Sequence, residues 1–244
     1  MACWGKVNLI EDISTITARM GEGSRADSTS MALNSYRHFP TEIVTAMLTT
    51  SHIAALHDQL TAGWHREALE SWRQPADAWM QLIAKQHLAN FELWHTEDAA
   101  RTPNVSDAEV ARVKRRIDET NQRRNDLSEQ IDQALLDTLS FQRLPNPDAP
   151  LHSESPGLMI DRLSIMALKI FHTREEMERG NAPAGHMERN QERLQILLEQ
   201  RDDLAGCLDR LWAEALAGTR RFKLYRQLKM YNDPEMNPAV YRSR

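Results

Sequence analysis

The sequence contains little cysteine. Only Cys3 and Cys207 occur in 244 residues, and they lie far apart in the chain. Two distant cysteines exclude a disulfide framework and a cysteine-rich metal site. We therefore expect a protein that works in the reducing cytoplasm.

Long apolar runs are absent as well. No run approaches the roughly 20 apolar residues that a membrane-spanning helix needs. The N-terminus lacks a basic region followed by an apolar one. The sequence therefore predicts neither membrane insertion nor secretion.

The chain also lacks an excess of positive charge. Its formal net charge is −5, with Lys and Arg interspersed among acidic residues, so no basic arm attracts a nucleic-acid polymer. It has no glycine-rich phosphate loop, dinucleotide fingerprint, HExxH or GxSxG motif, which argues against the enzyme classes that depend on them. We expect no cofactor and no metal ligands, although the adjacent acids Glu97 and Asp98 leave Mg²⁺ open.

What is present predicts an all-α protein. Residues 1–35 end in the Gly/Ser-rich, charged stretch RMGEGSRADSTSM and are expected to form a flexible N-terminal extension. Residues 36–244 are expected to form a single domain. That domain is expected to be helical, because no segment shows sustained period-two alternation of β-branched residues. A helix is predicted on each side of Pro75, where the apolar spacing breaks. Long helices with short links predict an antiparallel bundle with a polar cleft between helices.

Capping and proline signals locate the longest helices. Ser106 followed by Glu109 is a capping box, and neither Gly nor Pro follows until Pro145. Pro156 marks the start of another helix, since proline at the first position loses no helical hydrogen bond. A further long helix is predicted after the Gly and Pro residues of 180–185.

Three of the predicted helices carry a polar stripe. The helix that begins in SESPGLMIDRLSIMALKIFH is otherwise apolar and holds in one sector roughly 100° wide the polar residues Asp161, Arg162, Lys169, His172 and Glu176. A second stripe begins apolar and turns polar along MQLIAKQHLANFELWHTEDAAR, and after its apolar start it contains His87, Asn90, Trp94, Glu97, Asp98 and Arg101. The long helix presents on one face Lys114, Asp118, Asn121, Asn125 and Asp132. Each stripe is interpreted either as the lining of a cleft or as a solvated face.

The C-terminal segment combines cations with aromatic rings. GTRRFKLYRQLKMYNDPEMNP includes Lys229, Tyr231 and Asn232 near its turn-rich end. Lys and Arg donate to phosphate, and an aromatic ring offers a stacking surface for a base. The segment is therefore interpreted as a nucleotide clamp, with a plain cationic tail as the alternative.

Four stretches together resemble a known family. They are HLANFELWHTEDAAR, KRRIDETNQRRNDLSEQID, SESPGLMIDRLSIMALKIFH and KMYNDPEMNP. Over about residues 41–238, the chain resembles the bacterial helical family called domain of unknown function 4254. The matching positions are His87, Asn90, Leu93, Trp94, Glu97, Asp98, Arg115 to Asp118, Asn121, Arg124 to Asp126, Asp161, Arg162, Lys169 and Lys229 to Asp233. The chain departs from the family pattern in three places. It has Ser155 where the family usually has threonine, and it has Arg-Arg before Ile-Asp in RRID where the family has Lys-Arg. It also carries a long N-terminal extension.

The resemblance implies a function in sugar-nucleotide chemistry. Members of the family stand near genes for ADP-activated heptose and for glycosyl transfer, including nucleoside pathways of the septacidin type. This context implies a glycosyltransferase of natural-product biosynthesis. Its substrate would be an ADP-activated heptose, and its acceptor would be an adenine amine or a related small molecule.

The expected binding site is a cleft between bundle helices. There Arg162, Lys169 and Lys229 would hold the pyrophosphate of the sugar nucleotide. Trp94 or Tyr231 would stack on its base. The other expected substrate contacts are Asn90, Lys114, Asp118, Asn121, Asn125, Asp161 and Asn232.

The expected catalytic groups are carboxylates. Glu97 or Asp98 would deprotonate the acceptor or stabilise a developing oxocarbenium ion. His87 is the other candidate base. No nucleophile of an obvious kind accompanies them.

Two other classes of function stay open. The first is an all-α, Mg²⁺-dependent nucleotide pyrophosphohydrolase, although such enzymes usually need paired Glu-x-x-Glu helices, which this sequence does not clearly contain. The second is a non-catalytic partner subunit of a glycosyltransferase. Broad apolar helix faces also lead us to expect a homodimer.

Overall fold

Five α-helices form most of the described part of the chain. The computed structural model describes residues 49–66, 75–103, 105–228, 235–238 and 242. Its helices are α1 (Thr50–Arg66), α2 (Ala78–Ala100), α3 (Asp107–Ser140), α4 (Pro156–Met177) and α5 (His186–Leu216).

These helices confirm the predicted fold class. No strand occurs within the described ranges, where Leu151 and Arg221 form an isolated bridge. None of the five helices is both long enough and apolar enough to cross a membrane. The predicted extension over residues 1–35 lies outside the described residues, and the single domain over 36–244 stays a prediction.

The helix starts follow the local sequence signals. Ser106 Oγ accepts a hydrogen bond from Glu109 N at 3.2 Å, while the Glu109 side chain pairs with Arg112 instead of reaching back. α3 therefore forms one half of the predicted capping box. At α2, Asp77 Oδ1 accepts from Met80 N at 2.9 Å, which satisfies an amide that the first helical turn leaves free.

α4 is the central helix of the bundle. It packs against each of the other four helices. Its apolar residues join residues of α3 and α5 in the main hydrophobic core. Burial of side chains such as Ile131, Ile160 and Leu163 stabilises the fold by about 1.5–3 kcal/mol each. The buried polar groups of α4 therefore face a neighbouring helix or a gap between two of them.

Consecutive helices from α2 to α5 run antiparallel, as predicted. Along α3 and α4, Asp132 meets Gly157 and Arg124 meets Asp161, so residue numbers fall on one helix as they rise on the other. Short links join α2 to α3 and α4 to α5, and each pair packs together. α1 and α2 instead run in the same direction, because their contacts advance together along both helices.

A tight junction at Gly157 joins α4 to α3. Asp132 accepts hydrogen bonds from Gly157 N at 2.6 Å and from the Ser155 hydroxyl, so a side chain of α3 caps the start of α4. A Cβ atom at position 157 would lie 2.3 Å from Ser128 O, and only glycine allows this approach. Burial raises the pKa of Asp132 to about 6, although both hydrogen bonds oppose the rise.

Candidate functional site

A pocket of about 390 Å³ opens between α2, α3 and α4. α2 supplies most of its wall, and α4 supplies apolar side chains. Its lining residues are Asn90, Leu93, Trp94, Glu97, Asp98, Arg101, Arg124, Ile165 and Leu168. Four residues of the predicted site, Asn90, Trp94, Glu97 and Asp98, thus line one cavity.

α2 passes from the core to the surface along its length. His87 in its first half has no exposed area, whereas Asp98 and Arg101 near its end are exposed. Asn90 and Trp94 lie between these two parts. The face that begins apolar and turns polar therefore lines a cavity before it reaches solvent.

A buried carboxylate of α4 supports the pocket. Asp161 Oδ1 accepts hydrogen bonds from Gln86 Nε2 at 2.6 Å and from Asn90 Nδ2 at 2.9 Å. Arg124 Nε lies 3.4 Å from the same oxygen. Burial raises the pKa of Asp161, while Arg124 and the two amides oppose that rise. Asp161 therefore holds one pocket residue on α2 and another on α3.

The structure places His87 in the core and not in the pocket wall. Its Nε2 lies 2.9 Å from Thr61 Oγ1, and its Nδ1 lies 2.7 Å from Ser164 Oγ. The ring stacks on His57, with centroids 4.5 Å apart. Burial lowers the pKa of His87 well below its ordinary value. These contacts therefore support a structural role for His87, as a neutral ring that joins α1 to α4. They do not support the expected role of a base that faces a substrate.

The two adjacent acids lie at the pocket rim. Glu97 Oε2 and Arg101 Nη1 form an ion pair at 3.0 Å, with both side chains exposed. Partial burial raises the pKa of the neighbouring Asp98, whereas His172 and Arg101 lower it. Both carboxylates are accessible to a ligand in the pocket.

Arg162 and Lys169 line a different pocket, of about 660 Å³, between α4 and α5. Arg162 Nη1 donates to both carboxylate oxygens of Glu154, at 3.0 and 2.9 Å. The polar residues of α4 were expected to face one cleft, but they face two different sides. Asp161 contacts α2 and α3, whereas Arg162 and Lys169 face α5. Ile165 lies between the two sides and lines both pockets. The structure therefore does not bring the expected pyrophosphate cations of α4 together with the acids of α2.

The polar stripe of α3 contributes less to the pocket than expected. Lys114 and Asp118 form an exposed ion pair one turn apart. Asn121 is half-buried and Asn125 is buried, and none of these four residues lines the pocket. Arg124 reaches it instead. This arginine lies within the motif KRRIDETNQRRNDLSEQID, so the sequence did contain a signal for it.

The predicted C-terminal clamp of Lys229, Tyr231 and Asn232 lies outside the described residues and stays a prediction. The segment that precedes it is held against the bundle. Phe222 is buried in the core, and Gln227 N donates to Glu129 Oε1 of α3 at 2.9 Å.

Three histidines meet beside the pocket. His65 of α1, His95 of α2 and His172 of α4 place one ring nitrogen each within 4.8 Å of the others. The His172 ring stacks on Trp94, with centroids 4.8 Å apart and planes at 9°. Burial lowers the pKa of all three histidines. The sequence patterns placed His172 in the polar stripe of α4 but did not predict the cluster, although the chain's two Trp-His dipeptides hold His65 and His95.

One family model matches the chain. It is described as "Protein of unknown function (DUF4254)" and covers residues 80–224, which is more than half of the sequence. The match begins in α2 and extends beyond α5, so it includes the whole pocket, whereas His65 precedes it. No curated protein and no solved structure matches the sequence.

Proposed function

The chain belongs to the DUF4254 family of proteins of unknown function, and from that premise we propose that it is a glycosyltransferase that uses a sugar nucleotide. The proposed donor is an ADP-activated heptose, and the proposed acceptor is the amine of an adenine or a related small molecule. The observation that carries the proposal is that an indole ring, two carboxylates and two guanidinium groups surround one pocket. Such groups stack on a base, accept a proton and bind a pyrophosphate.

The size and lining of the pocket support a small-molecule ligand. Its volume of about 390 Å³ falls within the range of about 300–1,000 Å³ that is typical of ligand sites. Leu93, Ile165 and Leu168 make part of its wall apolar, and the exposed charged groups Glu97, Asp98 and Arg101 also line it. A nucleotide whose base packs on Trp94 and whose pyrophosphate reaches the rim fits this layout.

Arg124 is the residue best placed to bind the pyrophosphate. Its side chain lines the pocket, and the Asp161 carboxylate lies 3.4 Å from its Nε. A guanidinium held in this way offers parallel N–H donors to phosphate oxygens. Arg101 adds a second cation at the rim, where Glu97 pairs with it. In this proposal, the two arginines take the role that was expected of the cations on α4.

The two acids of α2 supply the proposed chemistry. During transfer, the bond from sugar C1 to the diphosphate oxygen breaks, and C1 forms a bond to the acceptor nitrogen. The nitrogen gives its proton to the Asp98 carboxylate, and the nucleoside diphosphate leaves with the bonding electrons. The Glu97 carboxylate stabilises the positive charge that develops on the sugar ring.

Ligand binding is the first test of the proposal. The melting temperature of the full chain is measured with ADP, UDP and GDP sugars, each with and without Mg²⁺. A ligand that binds the native state raises the melting temperature by mass action, and we expect a selective rise with an ADP sugar. No rise with any of these sugars would contradict the proposal and favour a non-catalytic partner subunit of a glycosyltransferase.

Turnover is the second test. ADP and the glycosylated acceptor are followed by chromatography, and we expect equal amounts of both, formed only when the acceptor is present. Release of AMP and a sugar phosphate without an acceptor, abolished by EDTA, would instead support a Mg²⁺-dependent pyrophosphohydrolase.

A further inference from the structure

The three histidines beside the pocket are arranged like the ligands of one metal ion. The ring centroids of His65 and His95 are 5.1 Å apart, those of His65 and His172 are 5.0 Å apart, and those of His95 and His172 are 5.6 Å apart. Three imidazoles that bind one Zn²⁺ tetrahedrally, with Zn–N bonds of about 2.0–2.1 Å, have centroids about 5 Å apart. We propose that His65, His95 and His172 bind a single divalent ion of the Zn²⁺ type.

Hydrogen bonds to the opposite ring nitrogens orient two of these histidines. His65 Nδ1 lies 2.7 Å from Thr61 O, and a carbonyl oxygen only accepts, so Nδ1 carries the proton. His65 Nε2 therefore presents a lone pair, and this buried atom has no hydrogen-bond partner among the described residues. His172 Nδ1 lies 2.7 Å from Glu175 Oε2 and is oriented in the same way. Histidines that ligate a metal commonly have such a carbonyl or carboxylate partner.

Aromatic packing holds the rings close to the geometry that a metal needs. The His65 ring stacks on Phe171 with centroids 4.2 Å apart, and the Phe91 centroid lies 4.5 Å from that of His95. The ligand nitrogens lie at most 4.8 Å apart, and tetrahedral coordination requires about 3.4 Å. Small rotations of the rings would close this difference. Because the fold already restricts the three side chains, metal binding costs little further conformational entropy.

The ligand chemistry selects the class of ion. Mg²⁺ prefers oxygen ligands, whereas imidazole nitrogen suits Zn²⁺, Co²⁺ and Ni²⁺. Three protein ligands leave a coordination position for water or another ligand. The ion would adjoin the pocket, because the His172 ring stacks on Trp94 in the pocket wall. This inference goes beyond glycosyl transfer and does not depend on it.

Cobalt provides a direct test. The full chain is freed of metal with a chelator and titrated with Co²⁺, whose visible absorption is intense in tetrahedral nitrogen sites. We expect visible bands that saturate at a single Co²⁺ per chain and disappear when Zn²⁺ displaces it. Absence of these bands from the folded chain would overturn the proposal.

Matched variants locate the ion. His65→Phe removes one ligand and keeps an aromatic ring on Phe171, and His172→Phe does the same beside Trp94. Each is expected to weaken Zn²⁺ binding by more than about 100-fold, since the loss of an outer-shell partner alone costs about 10–100-fold. The control is His52→Phe, at an exposed histidine of α1, and it should bind Zn²⁺ as tightly as the unsubstituted chain.

The outcomes separate this proposal from the proposed function. Circular dichroism identifies the variants that fold. If His65→Phe does not fold, the Zn²⁺ affinity of His172→Phe provides the test. Zn²⁺ affinity that is unchanged in a folded ligand variant would overturn the metal site. The measured quantity is metal binding, so that result leaves the sugar-nucleotide assays to be judged separately.

Discussion

Arg124 Nε of α3 lies 3.4 Å from Asp161 Oδ1 of α4, beside the pocket. The contact is an ion pair and not a hydrogen bond, because this Nε has no acceptor in hydrogen-bonding geometry among the described residues. The same Oδ1 atom accepts hydrogen bonds from Gln86 and Asn90. One buried carboxylate therefore positions both the cation and an amide that line the cavity.

Asp161→Asn tests this positioning. Asparagine keeps an oxygen acceptor for the two amides but removes the charge that faces Arg124. We expect the affinity for an ADP sugar to fall about tenfold, equivalent to about 1.4 kcal/mol. Calorimetric titration measures this change, and urea unfolding measures stability. Unchanged affinity in a folded variant would show that Arg124 does not depend on Asp161.

Asp98→Asn tests the assignment of the base. The substitution preserves shape but removes the proton acceptor, and a positioned general base contributes about 10²–10⁴-fold to a rate. We expect kcat to fall about 100-fold or more, with donor affinity changed only a few-fold. Single-turnover kinetics measure both quantities. The control is Asp202→Asn, at an exposed acid of α5, and a kcat equal in the two variants would remove Asp98 from the mechanism.

Gly157→Ala tests the junction of α3 and α4. The added Cβ would lie 2.3 Å from Ser128 O, a backbone atom, so one helix must move. We expect the free energy of unfolding to fall by at least about 2 kcal/mol, as overpacking does elsewhere. Gly206→Ala is the matched control in α5, where no atom lies within 4 Å of the new Cβ. The free energy of unfolding of the control variant should rise by about 0.4–1 kcal/mol. Equal changes for the two variants in urea unfolding would contradict the tight junction.

His57→Leu tests the acid sensitivity of the core. Burial lowers the pKa of His57 to about 3, and neither ring nitrogen has a hydrogen-bond partner among the described residues. The folded state holds the His57 ring neutral, whereas the ring of the unfolded chain takes up a proton below a pH of about 6.5. The free energy of unfolding therefore falls as the pH drops from about 6.5 toward 3. The difference corresponds to at most about 5 kcal/mol. Leucine removes the titration, so it should raise the free energy of unfolding more at pH 4 than at pH 7.

Urea unfolding at the two pH values measures this difference. The control is His52→Leu, the same substitution at an exposed position of the same helix, measured at both pH values. If His57→Leu raised the free energy of unfolding equally at pH 4 and pH 7, the pKa of His57 would not differ between the folded and unfolded states.

The helices could be predicted from the sequence because their start signals are local. Ser106 and Pro156 mark the starts of α3 and α4 within one residue, since a cap and a proline act on the adjacent backbone. The direction in which each polar stripe faces depends instead on the neighbouring helices. α4 is surrounded by four helices, and periodicity along one helix does not specify which of them each sector contacts.

The candidate site was predictable in part for the same reason. Asn90 and Trp94 follow from the polar change along a single helix, α2. Asp161 and Arg162 are adjacent in sequence, yet the first contacts α2 and α3 whereas the second faces α5. The histidine cluster joins three helices that are distant in sequence, so only the folded chain brings its members together.

The most direct measurement is the affinity of an ADP sugar for four chains, determined by isothermal titration calorimetry. They are the unsubstituted protein, Arg124→Gln, Arg124→Lys and Arg162→Gln. If the pocket between α2, α3 and α4 binds the pyrophosphate, Arg124→Gln should weaken binding by about 100-fold, equivalent to about 2.7 kcal/mol. Arg124→Lys should be intermediate, because it keeps the charge but loses the planar donors, and Arg162→Gln should bind like the unsubstituted chain. Weak binding in Arg162→Gln together with full affinity in Arg124→Gln would contradict this assignment and place the nucleotide between α4 and α5.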